Sequence, residues 1–186
     1  MHPNEENPWT INTKNEVYDN PWITVTHHEV SHVSGHIGIY GTVHFKKIAL
    51  GVLVLDDDYN TWIVGQYRFP IKQYSWELPE GGGDLNIDPL VSIKRELLEE
   101  AGIIAQSWHK IQTMYLSNST TDEIAHLYIA KNLTFKVAQP DNDELLKQKK
   151  LPFNELYNMV INGQVTDAMT ITTVLKAKLL MLEGKL

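Results

Sequence analysis

The sequence predicts a mixed α/β chain, and three observations carry that prediction. Residues 88–102 read as a helix with both ends marked: Asp88 as N-cap, Pro89 at the first helical position, and Gly102 placed for a left-handed stop. On either side run β-branched and aromatic stretches of strand length. From Pro152 onward the apolar residues return to helical spacing. At 186 residues the chain fits one main domain with a small appended piece.

Taken in order, residues 1–20 are polar and rich in Asn, Glu and Pro, a composition expected to leave the chain end loose. From Trp22 to Phe45 the residue types predict two or three strands. His27, His28, His32, His36 and His44 fall here. The spacing of His28, His32 and His36 would suit zinc on a helix, but the segment reads as strand and turn, so they are strand-surface or interface histidines. Ala49–Leu55 is a continuous apolar run, Asp56–Asp58 a polar turn and Thr61–Tyr67 a further strand, which together predict a hairpin. Beyond the central helix, residues 108–116 and 123–130 read as strands around the turn-forming run Ser117–Asp122, and 145–151 as the last strand. A helix over 152–161 stops at Asn162-Gly163. Another over 167–183 is expected to pack through Ala168, Ile171, Val174, Leu175, Leu179 and Leu182.

Composition narrows the function. A net charge of −7 argues against a general nucleic-acid or anionic-membrane binder, which needs basic surface. Without cysteine, thiol catalysis and disulfides are excluded, which suits a cytoplasmic protein. The N-terminus lacks a basic region followed by an apolar one, and no apolar run approaches membrane-spanning length.

The chemistry concentrates in residues 76–103. On a helical wheel of about 100° per residue, Leu90, Ile93, Leu97 and Ala101 form one stripe, with Glu96, Glu99 and Glu100 on the adjoining arc. Three carboxylates at the edge of a core repel one another, and a divalent cation with oxygen ligands offsets that charge directly. The plainer alternative is an amphipathic helix with a solvated acidic face.

This stretch resembles the signature box of the Nudix hydrolases: Gly, five residues, Glu, seven residues, then Arg-Glu-apolar-any-Glu-Glu-any-Gly-apolar. Gly81 opens it, and Arg95, Glu96, Leu97, Glu99, Glu100, Gly102 and Ile103 fill its second half. The first glutamate of the pattern is Ile87 here. In the family that glutamate mainly braces the box, often by pairing with the arginine matched by Arg95. Upstream, Gln66-Tyr67-Arg68-Phe69-Pro70 and Ser75-Trp76-Glu77-Leu78-Pro79 resemble the ADP-ribose pyrophosphatase and nucleoside diphosphate sugar hydrolase branch, as do Asp122–Ala130 and the turn Gly163–Ala168 with Thr170. The resemblance covers Ala49 to the C-terminus, the earlier strands agreeing in placement only.

The resemblance implies an α/β/α sandwich with a mixed central sheet over residues 46–186, and a β-rich N-terminal arm over 1–45 that joins a homodimer interface. It implies Mg²⁺ or Mn²⁺, held by Glu96, Glu99, Glu100 and a backbone carbonyl near Glu80. Oxygen-only ligation without cysteine agrees with those ions over zinc. The substrate side falls to Arg68, Glu77, Gly81 and Gly82. Glu100 and Glu99 serve catalysis, together with a water-orienting carboxylate from the loop Gln139–Glu144; Asp141, Asp143 and Glu144 are the candidates, Glu144 or Asp143 being favoured. The implied reaction is metal-dependent hydrolysis of the diphosphate of ADP-ribose or a related nucleotide sugar, with UDP- or GDP-hexoses as competitors. A nucleoside triphosphate substrate fits the Gln66–Pro70 run poorly. Ile87 sustains a different class, a Nudix-fold module that binds such ligands without cleaving them.

Overall fold

In the computed structural model, residues 6–138 and 145–186 are described. The chain divides into two compact units, one of Met1–Lys47 with Tyr115–Glu123, the other of Ile48–Met114 with Ile124–Leu186.

The first unit is an antiparallel three-stranded sheet in the order β1 (Trp9–Asp19), β2 (Ile23–His32), β3 (Ile37–Phe45). Asn20 shapes the first turn, its side-chain oxygen accepting the amides of Trp22 and Ile23. Gly35, at φ 84°, allows the second. The strands thus begin at Trp9, ahead of the Trp22 start that the residue types predict. Every residue of β1 is exposed, so no alternation of buried and exposed positions marks it, and the backbone ladder to β2 supplies its order. The histidines serve strands and turns: His28 contacts the Thr42 hydroxyl across β2 and β3, and His32 contacts Ser34. Asp122 fastens the returning segment to β3, pairing with His44 and accepting the Phe45 amide.

Among its described residues, the second unit contains two sheets and three helices. One sheet runs β7 (Glu80–Asp84), β4 (Lys47–Val54), β9 (Ile124–Phe135), β8 (Ile103–Tyr115), with β4 and β9 parallel. The other runs β10 (Lys147–Pro152), β5 (Asn60–Arg68), β6 (Gln73–Glu77), all antiparallel. The anticipated hairpin between the apolar run and its successor does not form. Both edges of β4 are occupied by β7 and β9, so β5 pairs elsewhere. Asp56 turns the chain between them, its carboxylate accepting the amides of Asp58 and Asn60.

The continuous apolar character of β4 follows from burial on both faces. Ile48, Leu50, Val52 and Val54 join Ile93, Leu97 and Ala101 of α1 (Pro89–Ala101) in one cluster. On the opposite face, Gly51 lies against Leu127 and against Met169 of α3 (Ala168–Leu182). The helix α2 (Phe153–Ile161) buries Phe153, Leu156 and Val160. This gives the helix–sheet–helix layering expected.

Helix α1 forms as its ends dictate: the Asp88 side chain accepts the Leu90 amide, and Gly102 takes the left-handed conformation. Helix α3 starts where expected, capped by Asp167, but of the expected packing face only Val174 is buried. It buries Met169, Thr170, Thr173, Val174 and Ala177, leaving Leu175, Leu179 and Leu182 exposed. Two threonines can be buried because their hydroxyls are used: Thr170 accepts the Leu78 amide, and Thr173 donates to the Met169 carbonyl. Truncating Leu97 to Ala leaves a cavity between α1 and β4. We expect a loss of about 2–5 kcal/mol of stability in chemical denaturation.

Candidate active site

The chain between β6 and β7 runs Glu77-Leu78-Pro79-Glu80-Gly81, held from two directions. The Val52 amide donates to the Pro79 carbonyl at 3.0 Å, and the Leu78 amide to Thr170 Oγ1 at 3.0 Å. Anchored between β4 and α3, this segment presents its glutamates at fixed positions.

Helix α1 supplies the opposing groups. Glu100 is 2% exposed, and its Oε2 accepts the Glu80 amide at 3.0 Å. Glu96 lies against the glycine turn so closely that a Cβ on Gly81 would stand 2.6 Å from its Oε2. Gly83 serves the core instead, where a Cβ would meet Leu50 at 2.8 Å. Gly82 is half-buried between them. Arg95 reaches Glu96 at 2.5 Å and Glu99 at 2.6 Å, while Ile87, in the place of the first box glutamate, is 48% exposed. The arginine is thus braced from within its own helix. Glu99 is the most exposed of the three box carboxylates and is held on Arg95.

A second acidic group gathers around Arg68. Arg68 spans Glu77 and Glu80, donating from Nε and Nη2 to Glu77 and from Nη2 to Glu80 at 2.7 Å. Glu77, Glu80 and Asp167 each bring a carboxylate oxygen within 4.8 Å of the others. Burial, and then the charges of Asp167 and Glu77, push the Glu80 pKa well above the usual carboxylate range against the pull of Arg68. Burial opposes the Arg68 charge, but the hydrogen bonds and charge of Glu77, with Glu80 and Asp167, more than offset it and raise its pKa.

The structure therefore brings together Glu80, Gly81, Glu96 and Glu100, and beside them Arg68 and Glu77. Arg68 is committed to two carboxylates rather than projecting alone from its strand end. Asp141, Asp143 and Glu144 lie outside the described residues. Sequence reasoning missed Asp167, seen only as the start of a helix. A place at the start of a helix accounted for it, and nothing local announced the approach of Glu77 and Glu80.

An all-oxygen donor set, with the Glu96 carboxylate filling the cradle at Gly81 and the buried Glu100 carboxylate on the adjoining Glu80 amide, fits a hard divalent cation. A family model described as the NUDIX domain matches residues 45–169, and one described as the nucleoside diphosphate sugar hydrolase N-terminal domain matches residues 9–43. The chain belongs to the Nudix family of divalent-metal-dependent hydrolases. It is 30% identical over 128 residues to the methanol dehydrogenase activator of Bacillus methanolicus, covering 68% of this chain and 69% of that protein. It is 30% identical over 124 residues to the ADP-ribose pyrophosphatase of Bacillus subtilis, covering 66% and 67% respectively. A solved structure of an ADP compounds hydrolase superposes with a TM-score of 0.85 over 97% of this chain and 98% of that one. At 18% identity, that likeness speaks for the fold alone. No helix among the described residues is long and apolar enough to cross a membrane.

Replacing Gly81 with Ala places a methyl group where the Glu96 carboxylate lies. Divalent-metal affinity, measured by calorimetry, is expected to fall by about 10- to 100-fold with the circular dichroism spectrum retained.

Proposed function

We propose that the protein hydrolyses the diphosphate bond of ADP-ribose or a related nucleoside diphosphate sugar. Water adds across the P–O–P bridge, giving a nucleoside monophosphate and a sugar phosphate. The observation that carries this reading is the closing of two box carboxylates onto one backbone turn, Glu96 against Gly81 and Glu100 on the Glu80 amide. The family models over residues 9–43 and 45–169 and the ADP-ribose pyrophosphatase relative support the substrate class.

In this reading Glu96, Glu99, Glu100 and the Glu80 carbonyl hold Mg²⁺ or Mn²⁺. When bound, the metal polarises the phosphoryl oxygens and makes water a stronger nucleophile. The chain's own residues do the rest. Arg68 and Glu77, with the backbone at Gly81 and Gly82, form the substrate wall. Neither carboxylate uses Arg68 Nη1, which leaves part of its planar fork for a phosphate or ribose oxygen. Glu99 and Glu100 bear on the reacting groups from the helix edge, and Glu144 or Asp143 orients the attacking water. The Arg95 pairing with Glu96 and Glu99 supplies bracing that Ile87 cannot, which favours turnover over a binding-only module.

We assign residues 1–45 to an arm that forms part of a homodimer interface and 46–186 to the hydrolase domain. Exposed Trp9, Ile11, Val17 and Tyr18 on β1 support an arm that meets a partner. The cysteine-free composition supports a cytoplasmic setting.

Phosphate-monoester production should be assayed on ADP-ribose, UDP-glucose, GDP-mannose and a nucleoside triphosphate. The expected result is cleavage of a nucleotide sugar that EDTA stops and Mg²⁺ restores, with the triphosphate a poor substrate. Glu100→Gln should lower kcat by about 10²–10³-fold, the scale of removing one charge-stabilising group. Near-normal turnover in that variant would overturn the assignment.

A further inference from the structure

We propose that Glu77, Glu80 and Asp167 form a second site for a hard divalent cation, separate from the carboxylates of the box helix. The three ligands come from three elements: the end of β6, the start of β7 and the N-cap of α3. Their oxygens lie within 4.8 Å of one another. Oxygens around one such ion, at about 2.0–2.6 Å from it, stand at most roughly 4–5 Å apart, so the cluster already has the right size.

Charge and burial point the same way. Glu77 is 2% exposed and Glu80 7%, and Arg68 gives this carboxylate trio a single guanidinium. Glu80 spends Oε1 on Arg68, while its Oε2 is sealed from solvent and meets no donor among the described residues. A buried carboxylate oxygen without a donor calls for a partner, which a bound cation or a proton on the group supplies. Asp167 uses Oδ2 to cap α3 through the Thr170 amide at 2.6 Å, which leaves Oδ1 for a second duty.

The cluster is distinct from the box because Glu80 meets the two through different atoms. Its backbone amide goes to Glu100, whereas its carboxylate pairs with Arg68 and gathers with Glu77 and Asp167, the charge of Glu100 acting on it less than theirs. A change confined to the Glu80 side chain therefore acts on the second site and leaves the backbone of the first in place. The inference does not depend on which diphosphate is cleaved.

The test is a Mn²⁺ titration of the full chain, with free ion followed by electron paramagnetic resonance, in wild type, Glu80→Gln, Asp167→Asn and Glu96→Gln. Asn retains a capping oxygen, so Asp167→Asn keeps α3 intact if Glu80→Gln folds poorly. The expected result is one fewer Mn²⁺ per chain in Glu80→Gln and in Asp167→Asn, or at least a tenfold weaker class of sites, on the order of the loss seen when metal-site partners are removed. Glu96→Gln should retain this class while losing affinity at the box. The Mn²⁺-induced rise in melting temperature should shrink in Asp167→Asn. If Glu80→Gln and Asp167→Asn bind as many ions as wild type with unchanged affinity, Glu80 carries a proton instead and the proposal is overturned. The box assignment would then still be judged by Glu96→Gln alone.

Discussion

Glu100 sits at the seam between α1 and β7, where its buried carboxylate accepts the Glu80 amide. A carboxylate in that position is tolerated only because a donor meets it. Such a hydrogen bond contributes about 1.5–3 kcal/mol, whereas stranding a buried charge costs roughly 3–5 kcal/mol. The penalty for breaking the seam exceeds the gain from forming it, so helix and turn are fixed relative to each other. Gly102 holds the other end of α1: its amide closes onto Leu97 and Leu98, and its carbonyl accepts the Lys136 amide at 2.7 Å. Any side chain at Gly102 would run into the Lys136 carbonyl, so the left-handed stop and the close approach need the same residue.

The departure at Ile87 is intelligible within this frame. A glutamate there would brace Arg95 from the loop that enters the helix. Here Arg95 is held by Glu96, its neighbour in sequence, and by Glu99 one turn on. The i to i+4 pair is a local interaction of modest strength, about 0.3–0.5 kcal/mol when exposed. Its importance lies in geometry, since it draws Glu96 and Glu99 to one side of the helix. Ile87 is then free to sit half-exposed in the loop without leaving an unpaired arginine behind.

How much was legible followed from how local each signal was. Asp88, Pro89 and Gly102 bound α1 by short-range backbone chemistry, and the structure agrees at both ends. The box carboxylates were legible because their spacing fixes their arc. What failed depended on distant partners. The apolar run of β4 looked like half a hairpin because a strand buried on both faces carries no mark of which neighbours it will take. Strand β1 was illegible for the opposite reason, since all of it is exposed. On α3 the leucines suggested a packing face, yet Thr170 and Thr173 occupy it. Their burial becomes favourable only once Leu78 and Met169 are in reach.

Those threonines connect packing to chemistry. Thr170 accepts the Leu78 amide two residues before Glu80, so the start of α3 helps set the position of both Glu77 and Glu80. Asp167 caps the same helix turn and brings its own carboxylate to that pair. The helix N-terminus favours negative charge, which eases the crowding at Asp167 but cannot by itself reconcile three carboxylates with one arginine. That corner is electrostatically strained, and the apolar cluster of β4 and α1 supplies the stability that sustains it. Burial of Leu50, Val52, Ile93 and Leu97, each contributing about 1.5–3 kcal/mol, outweighs a few unfavourable carboxylate contacts. The core and the acidic corner meet along β4 and the segment Leu78–Gly81, where the same backbone that completes the sheet presents the glutamates.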